Sequence, residues 1–144
     1  FTGAVATADV VKLIPGIIEA EDFNNMEGAS VGDIAENEDV KPGQNLTGRG
    51  GINTDSWTEY AIKVKESGDY QLAYRVASLE GSDGFELLVN NIKHANYNVP
   101  ATGGWRKWQT VSENSIYLKA GQHKIKVRAI DSGWKLNWLS LKKS

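Results

Sequence analysis

The chain has no cysteine among its 144 residues. That absence excludes a disulfide framework, thiolate zinc sites and thiol catalysis. Histidine is almost as scarce, with only His94 and His123. His94 sits in a loop-like stretch without a nucleophile pattern, and His123 reads as a strand-end residue rather than a base. Neither Gly-x-Ser-x-Gly nor His-Glu-x-x-His occurs, so the signatures of serine hydrolases and zinc proteases are missing. The turn Gly48-Arg-Gly-Gly51 lacks the strand, Lys and Ser/Thr context of a phosphate cradle. Charge of one sign is lacking too: 16 Lys and Arg stand against 18 Asp and Glu, a net charge of −2. A nucleic-acid binder held by counterion release would be clearly basic. No uncharged apolar run approaches the roughly 20 residues that span a bilayer. Neither nucleic acid nor a membrane is therefore expected as a partner. Two carboxylates across a cleft would suffice for a glycosidase, but so small a chain has little wall with which to bury one and shift its pKa.

What is present is aromatic and alternating. Five Trp and five Tyr outnumber three Phe, and Trp and Tyr join a flat apolar face to a polar handle, as binding surfaces require. Residues 1–12 carry no cleavable signal pattern and read as a linker, leaving one module over 13–144. Trp57–Val64 alternates, with Tyr60, Ile62 and Val64 inward and Trp57, Glu59 and Lys63 outward. Tyr70–Val76 repeats the pattern, with Gln71 and Arg75 outward. Further short strands are expected at 16–23, 85–89, 116–118, 123–130 and 135–141, between turn signals such as Gly81-Ser-Asp-Gly84. No window holds a helical stripe. The expectation is an all-β sandwich.

Four local features bear on function. Trp57 falls on the polar side of its strand, where either a flat ligand stacks on it or, at the strand's start, loops cover it. Glu19 and Glu21 stand two apart on an expected strand, hence on one side, and paired carboxylates repel unless a cation lies between them. The acidic run Asp33–Asp39 lacks EF-hand spacing and reads as a solvated loop. Asn45-Leu-Thr47 matches a glycosylation sequon, a triplet common by chance.

Ile18-Glu-Ala-Glu-Asp-Phe23, Asp55-Ser-Trp-Thr-Glu-Tyr60, Gly68–Ala77, Pro100-Ala-Thr-Gly-Gly-Trp105, Leu118–His123 and Gly133-Trp-Lys-Leu-Asn-Trp138 occur in this order. Together they make the chain, from about Leu13 to Lys142, resemble the family 6 carbohydrate-binding modules of bacterial polysaccharide-degrading enzymes. The resemblance implies a jelly-roll β-sandwich of two antiparallel sheets with no catalytic residues. It implies a structural calcium ion held by Glu19, Glu21, Asn137 and a main-chain carbonyl near Leu46. It implies a sugar site among the loops at one end, floored by Trp105, with Trp108 the better candidate for the core. Two departures stand out. Gly51 falls where the family has a second aromatic wall, so that wall is absent or comes from another loop through Tyr97 or Trp134. Lys135 replaces a hydroxyl-binding Asn, and a lysine has three donors and no acceptor. The resemblance also implies a second site on the concave face of one sheet at Trp57, with Arg75 and Glu59 as polar neighbours if their strands are adjacent.

The function so implied is that of a monomeric, non-catalytic module targeting an attached glycoside hydrolase, secreted or at a bacterial cell surface, to a β-linked polysaccharide. The first ligand expected is a β-1,3-glucan of the laminarin type. Agarose or another marine galactan follows, and Lys135 raises an acidic glycan. A small glycan-active enzyme domain and a structural spacer are the rival classes.

Overall fold

Alternation of apolar and polar residues, the local rule that gives a half-buried strand its two faces, runs through nearly all of the described chain. The computed structural model describes residues 10–32, 45–47 and 52–144, with the backbone alone at 30–32 and 45–47. The acidic run Asp33–Asp39, the turn 48–51 that includes Gly51, and residues 1–9 of the expected linker lie outside the described residues.

The strands are β1 (Lys12–Ile14), β2 (Gly16–Glu19), β3 (Asn25–Glu27), β4 (Ser30–Gly32), β5 (Asn45–Thr47), β6 (Trp57–Val64), β7 (Gly68–Ser78), β8 (Ser82–Val89), β9 (Ile92–Val99), β10 (Gly104–Leu118), β11 (Gly121–Ala129) and β12 (Lys135–Lys143). One sheet runs β1-β6-β11-β8-β9, with β3 also on β6; the other runs β10-β7-β12-β5-β4, with β2 also on β12. The result is an all-β jelly-roll sandwich, as the strand pattern and the resemblance implied. Its core takes Tyr60, Ile62 and Val64 from the first sheet and Tyr70, Leu72, Tyr74 and Val76 from the second. Removing one such side chain from water is worth about 1.5–3 kcal/mol, so the inward alternation drives the packing.

Four details depart from the sequence reading. β1 pairs with β6 in parallel, Lys12 opposite Ile62, so the first sheet is not wholly antiparallel. That pairing also places the first strand's start one residue ahead of Leu13. The strand expected over 16–23 stops at Glu19, where the Asp22 amide donates to the Glu19 carbonyl at 3.0 Å and the chain turns. His94 lies on β9 rather than in a loop.

Backbone exceptions set the ends of the sandwich. Asn90 and Asn91, at φ 53° and 66°, make the two-residue hairpin turn between β8 and β9, for which Asn is suited. Gly84 has φ 75°, and a Cβ there would meet the Tyr97 carbonyl oxygen at 2.0 Å. Only glycine fits both demands.

Candidate functional site

At one end of the sandwich Ser78 gathers three segments. Its amide donates to Thr102 Oγ1 at 3.0 Å, its hydroxyl donates to the Gly133 carbonyl at 2.7 Å, and its carbonyl accepts from the Thr102 amide at 2.9 Å. The loop 100–104 and the loop 131–134 are thereby tied to the end of β7. Gly103, at φ 95°, turns the first of these into β10. There the register slips: Gly104 pairs with Ser78 and Gln109 with Val76. The residues Trp105–Trp108 therefore bulge opposite Ala77. Such bulges re-aim side chains at sheet rims. Trp108 packs on Ala77 and is 8% exposed. Trp105 stays partly exposed, and the Lys135 Nζ stands 6.0 Å from its ring centroid. Lys135 comes from β12, where it pairs with Ala77. Burial pushes the Lys135 ammonium below the usual lysine range, and the positive charge of Arg106 adds to the shift.

The structure brings Trp105 and Lys135 together but keeps the other two proposed walls apart from them. Trp134 is fully buried and stacks on Phe85, with Nε1 donating to the Asp131 carbonyl at 2.9 Å. Tyr97 lies against Tyr74 and Phe85 and is 8% exposed. Both are core residues beneath the loops. The strand alternation that marks an inward residue fails for Trp134, which enters from a loop.

Trp57 stands on the outer face of the first sheet, partly exposed as expected. Its Nε1 donates to Glu27 Oε1 at 3.2 Å, and the Lys126 Nζ sits 4.3 Å from its ring centroid. Glu59 Oε2 holds the same ammonium at 3.8 Å. Arg128, cross-strand from Trp57, is gripped by Asp55 Oδ1 at 2.9 Å and Glu86 Oε2 at 3.2 Å. Alongside runs a groove of about 660 Å³ lined by Asn24, Asn25, Glu59, Gln122 and Lys124, among others. Asn24 fixes its rim, since its Oδ1 accepts from Lys12 Nζ and from the Ala61 amide while its Nδ2 donates to the Val10 carbonyl. Arg75 does not belong here. It lies on β7, in the other sheet, and donates to Thr110 Oγ1 at 3.1 Å. Alternation told that Arg75 faces outward, but consecutive strands β6 and β7 belong to opposite layers. Glu27, Lys126 and Arg128, which sequence reasoning missed, become neighbours of Trp57 only through strand pairing.

Glu19 on β2 and Asn137 on β12 come close in the second sheet, and Glu21 follows two residues after Glu19 in the turn. Glu19 pairs with Trp138, the Ala20 amide donates to the Asn137 carbonyl at 3.0 Å, and Leu46 pairs with Leu136. Asn137 is the extra residue of a bulge in β12. Glu19 Oε1, Glu21 Oε1 and Asn137 Oδ1 are all sealed from solvent. The same-strand argument for the two carboxylates does not hold, because the turn after Glu19 separates them. Among the described residues no three His, Cys, Asp or Glu side chains gather into one group. Elsewhere, His123 Nε2–H donates to the Lys119 carbonyl and Nδ1 accepts from Asn90 Nδ2. Its ring is thus engaged in structure rather than poised as a base.

Residues 19–143 match the family model described as carbohydrate binding module (family 6). The chain is 31% identical to the carbohydrate-binding module CBM6cm-2 of Cellvibrio mixtus lichenase 5A, solved in complex with cellotriose. That match has a TM-score of 0.75 and covers 90% of this chain and 98% of that one. It is also 31% identical to the C-terminal module of LamC, a marine laminarinase of Zobellia galactanivorans, with a TM-score of 0.72 and coverage of 89% and 98%. Among curated proteins, the clotting factor G alpha subunit of Tachypleus tridentatus is 29% identical over 88% of this chain and 18% of its own length. This chain thus spans less than a fifth of that relative.

Proposed function

The chain belongs to carbohydrate-binding module family 6, a non-catalytic family, and on that footing we propose that it anchors an attached secreted bacterial glycoside hydrolase to a β-1,3-glucan of the laminarin type. The observation that carries the reading is the partly exposed Trp105 facing Lys135 across 6.0 Å at the loop end. A pyranose presents C–H groups that pack on an indole face, while its hydroxyls reach polar neighbours. Lys135 offers three donors to hydroxyl oxygens at the ring edge. Capture of one chain raises the local concentration of everything attached to the module. The 31% identity to a laminarinase module supports the choice of glucan. Trp57 and the groove beside Glu59 form a second surface for the same chain.

The same reading gives the module a structural calcium ion. Glu19, Glu21, Asn137 and the Leu46 carbonyl would hold it, and the three sealed side-chain oxygens are the hard donors such a cation takes. The ion would stabilise the fold and supply no chemistry to sugar binding.

Affinity electrophoresis through laminarin, mixed-linkage glucan, xylan, agarose and alginate tests the proposal. Retardation strongest in laminarin and lost in Trp105→Ala is expected. Agarose or xylan as the best ligand would replace the glucan assignment, and no retardation in any gel would move the chain to a structural role.

A further inference from the structure

The five tryptophans divide unevenly between the layers of the sandwich. Trp134 alone of the five enters the main core, and Trp57 stands on the outer face of the first sheet. Trp108 and Trp138 lie on the outer face of the second sheet, with Trp105 at its loop-end rim. Strand register fixes the place of Trp138. Leu136 and Leu139 enter the core opposite Val76 and Tyr74, with Asn137 as the extra residue between them. Lys135 and Trp138 therefore both face outward, opposite Ala77 and Arg75. Trp108 packs on Ala77, and Thr110 stands beyond Arg75 on β10, its Oγ1 accepting from the guanidinium. Trp138 is partly exposed and belongs neither to the core nor to the apolar side chains packed against it. The next row is low. Ser112, Ala73 and Ser140 align across β10, β7 and β12, followed on β2 by Ile17, which is 52% exposed. The solvated side of an antiparallel sheet is ordinarily polar; this one presents an indole beside small residues and an open isoleucine. Successive outward positions on a strand lie about 7 Å apart. One such step separates Trp138 from Lys135, whose Nζ is 6.0 Å from the Trp105 ring centroid.

We propose that Trp138 is a second stacking platform for the polysaccharide chain held at Trp105, so that the ligand leaves the loop end along the outer face of the second sheet, over Ala73 and Ser140. The inference rests on the carbohydrate-binding reading of the loop end and lengthens its ligand. An indole offers the C–H face of a sugar a flat apolar surface, and the small residues of the next row leave the ring room to lie flat. Trp105 is the anchor. Trp138 stands on an open floor without walls, so it adds contact to a chain already captured rather than capturing one alone. The outer face of the first sheet is arranged differently, since Lys126 covers Trp57 at 4.3 Å and is held there by Glu59. The module thereby reads a run of linked sugars rather than a single unit.

The test is calorimetry with short and long members of two β-glucan series: laminaritriose with laminarihexaose, and cellotriose with cellohexaose. Every protein carries Trp57→Ala, which removes the indole of the first sheet, and each is checked for folding by thermal melting. In that background the hexasaccharide of at least one series is expected to bind about tenfold more tightly than its trisaccharide. Adding Trp138→Ala is expected to cut this ratio about fivefold, the worth of one aromatic stacking contact. Ala73→Gln leaves Trp138 in place and raises a side chain from the floor beside it, and it is expected to cut the ratio likewise. Equal affinity for both lengths before either change, or a ratio that survives both, would overturn the inference and leave the binding-module reading standing. So would equal losses for both lengths in Trp138→Ala, which would make Trp138 a support for Trp105. Failure of all four sugars to bind would overturn both.

Discussion

Trp134 stacks on Phe85, with ring centroids 5.5 Å apart and planes 24° from parallel. This pair, not a sugar, occupies the indole, and it lies in the core immediately before Lys135 at the start of β12. Removing it therefore tests support rather than contact. Trp134→Ala should destabilise the fold by about 3–5 kcal/mol, read as a large drop in melting temperature, while Trp134→Phe should keep most of the stability. A variant that melts like wild type but loses laminarin would restore Trp134 to the sugar site.

Trp105 is expected to behave in the opposite way. Its substitution by Ala should weaken laminarin binding at least tenfold, about 1.4 kcal/mol, with the melting temperature nearly unmoved. Calorimetry and thermal melting on one preparation separate the two effects. Unchanged affinity combined with a collapsed fold would assign Trp105 to packing.

Lys126 covers Trp57 at 4.3 Å, so a sugar on that face must displace it. A cation–π contact at an exposed site is worth about 0.5–1 kcal/mol. Lys126→Ala should accordingly raise affinity at that face by a few-fold in a chain that already carries Trp105→Ala. Adding Trp57→Ala to Trp105→Ala should remove all residual binding. Residual retardation of that double variant would place a sugar surface elsewhere.

Calcium is expected to act on stability alone. At a hundredfold excess over its dissociation constant, a ligand bound only by the native state adds about 2.7 kcal/mol. A chelator should lower the melting temperature of the wild type and leave that of Asn137→Ala little changed. Identical melting with and without chelator, in protein shown by elemental analysis to hold no calcium, would remove the ion from the proposal.

Two buried tyrosines set an alkaline limit. Burial raises the Tyr60 and Tyr74 phenols well above their ordinary value near 10, and the Glu113 carboxylate bonded to Tyr74 raises that phenol further. Above about pH 10 the unfolded chain loses these protons while the folded chain keeps them, so stability falls as pH rises. Their contribution is complete below that pH. Chemical denaturation from pH 8 to 11 should show the fall, and Tyr60→Phe with Tyr74→Phe should flatten it; an equal slope in that variant would assign the loss to other groups.

Burial of Tyr60, Ile62 and Val64, and of Tyr70 through Val76, was legible in the sequence because a strand's two faces alternate by a local rule. The outward aspect of Trp57 followed from the same rule. The partners of Trp57 did not, since Glu27 and Lys126 reach it across β3 and β11, and register between strands is a long-range property. Arg75 shows the limit most plainly: its side was correct, its sheet was not.

By itself the sequence determined an all-β sandwich, its inward faces and, through six ordered motifs, its family. Only the tertiary structure separated Trp105 from Trp134. Both are Trp residues beside glycine turns, with nothing local to tell them apart. Their difference arises because the bulge opposite Ala77 lifts one to the rim, while the loop bound to Ser78 lays the other on Phe85. Burial at a loop is decided by what folds over it, and that information is distributed across strands far apart in the chain.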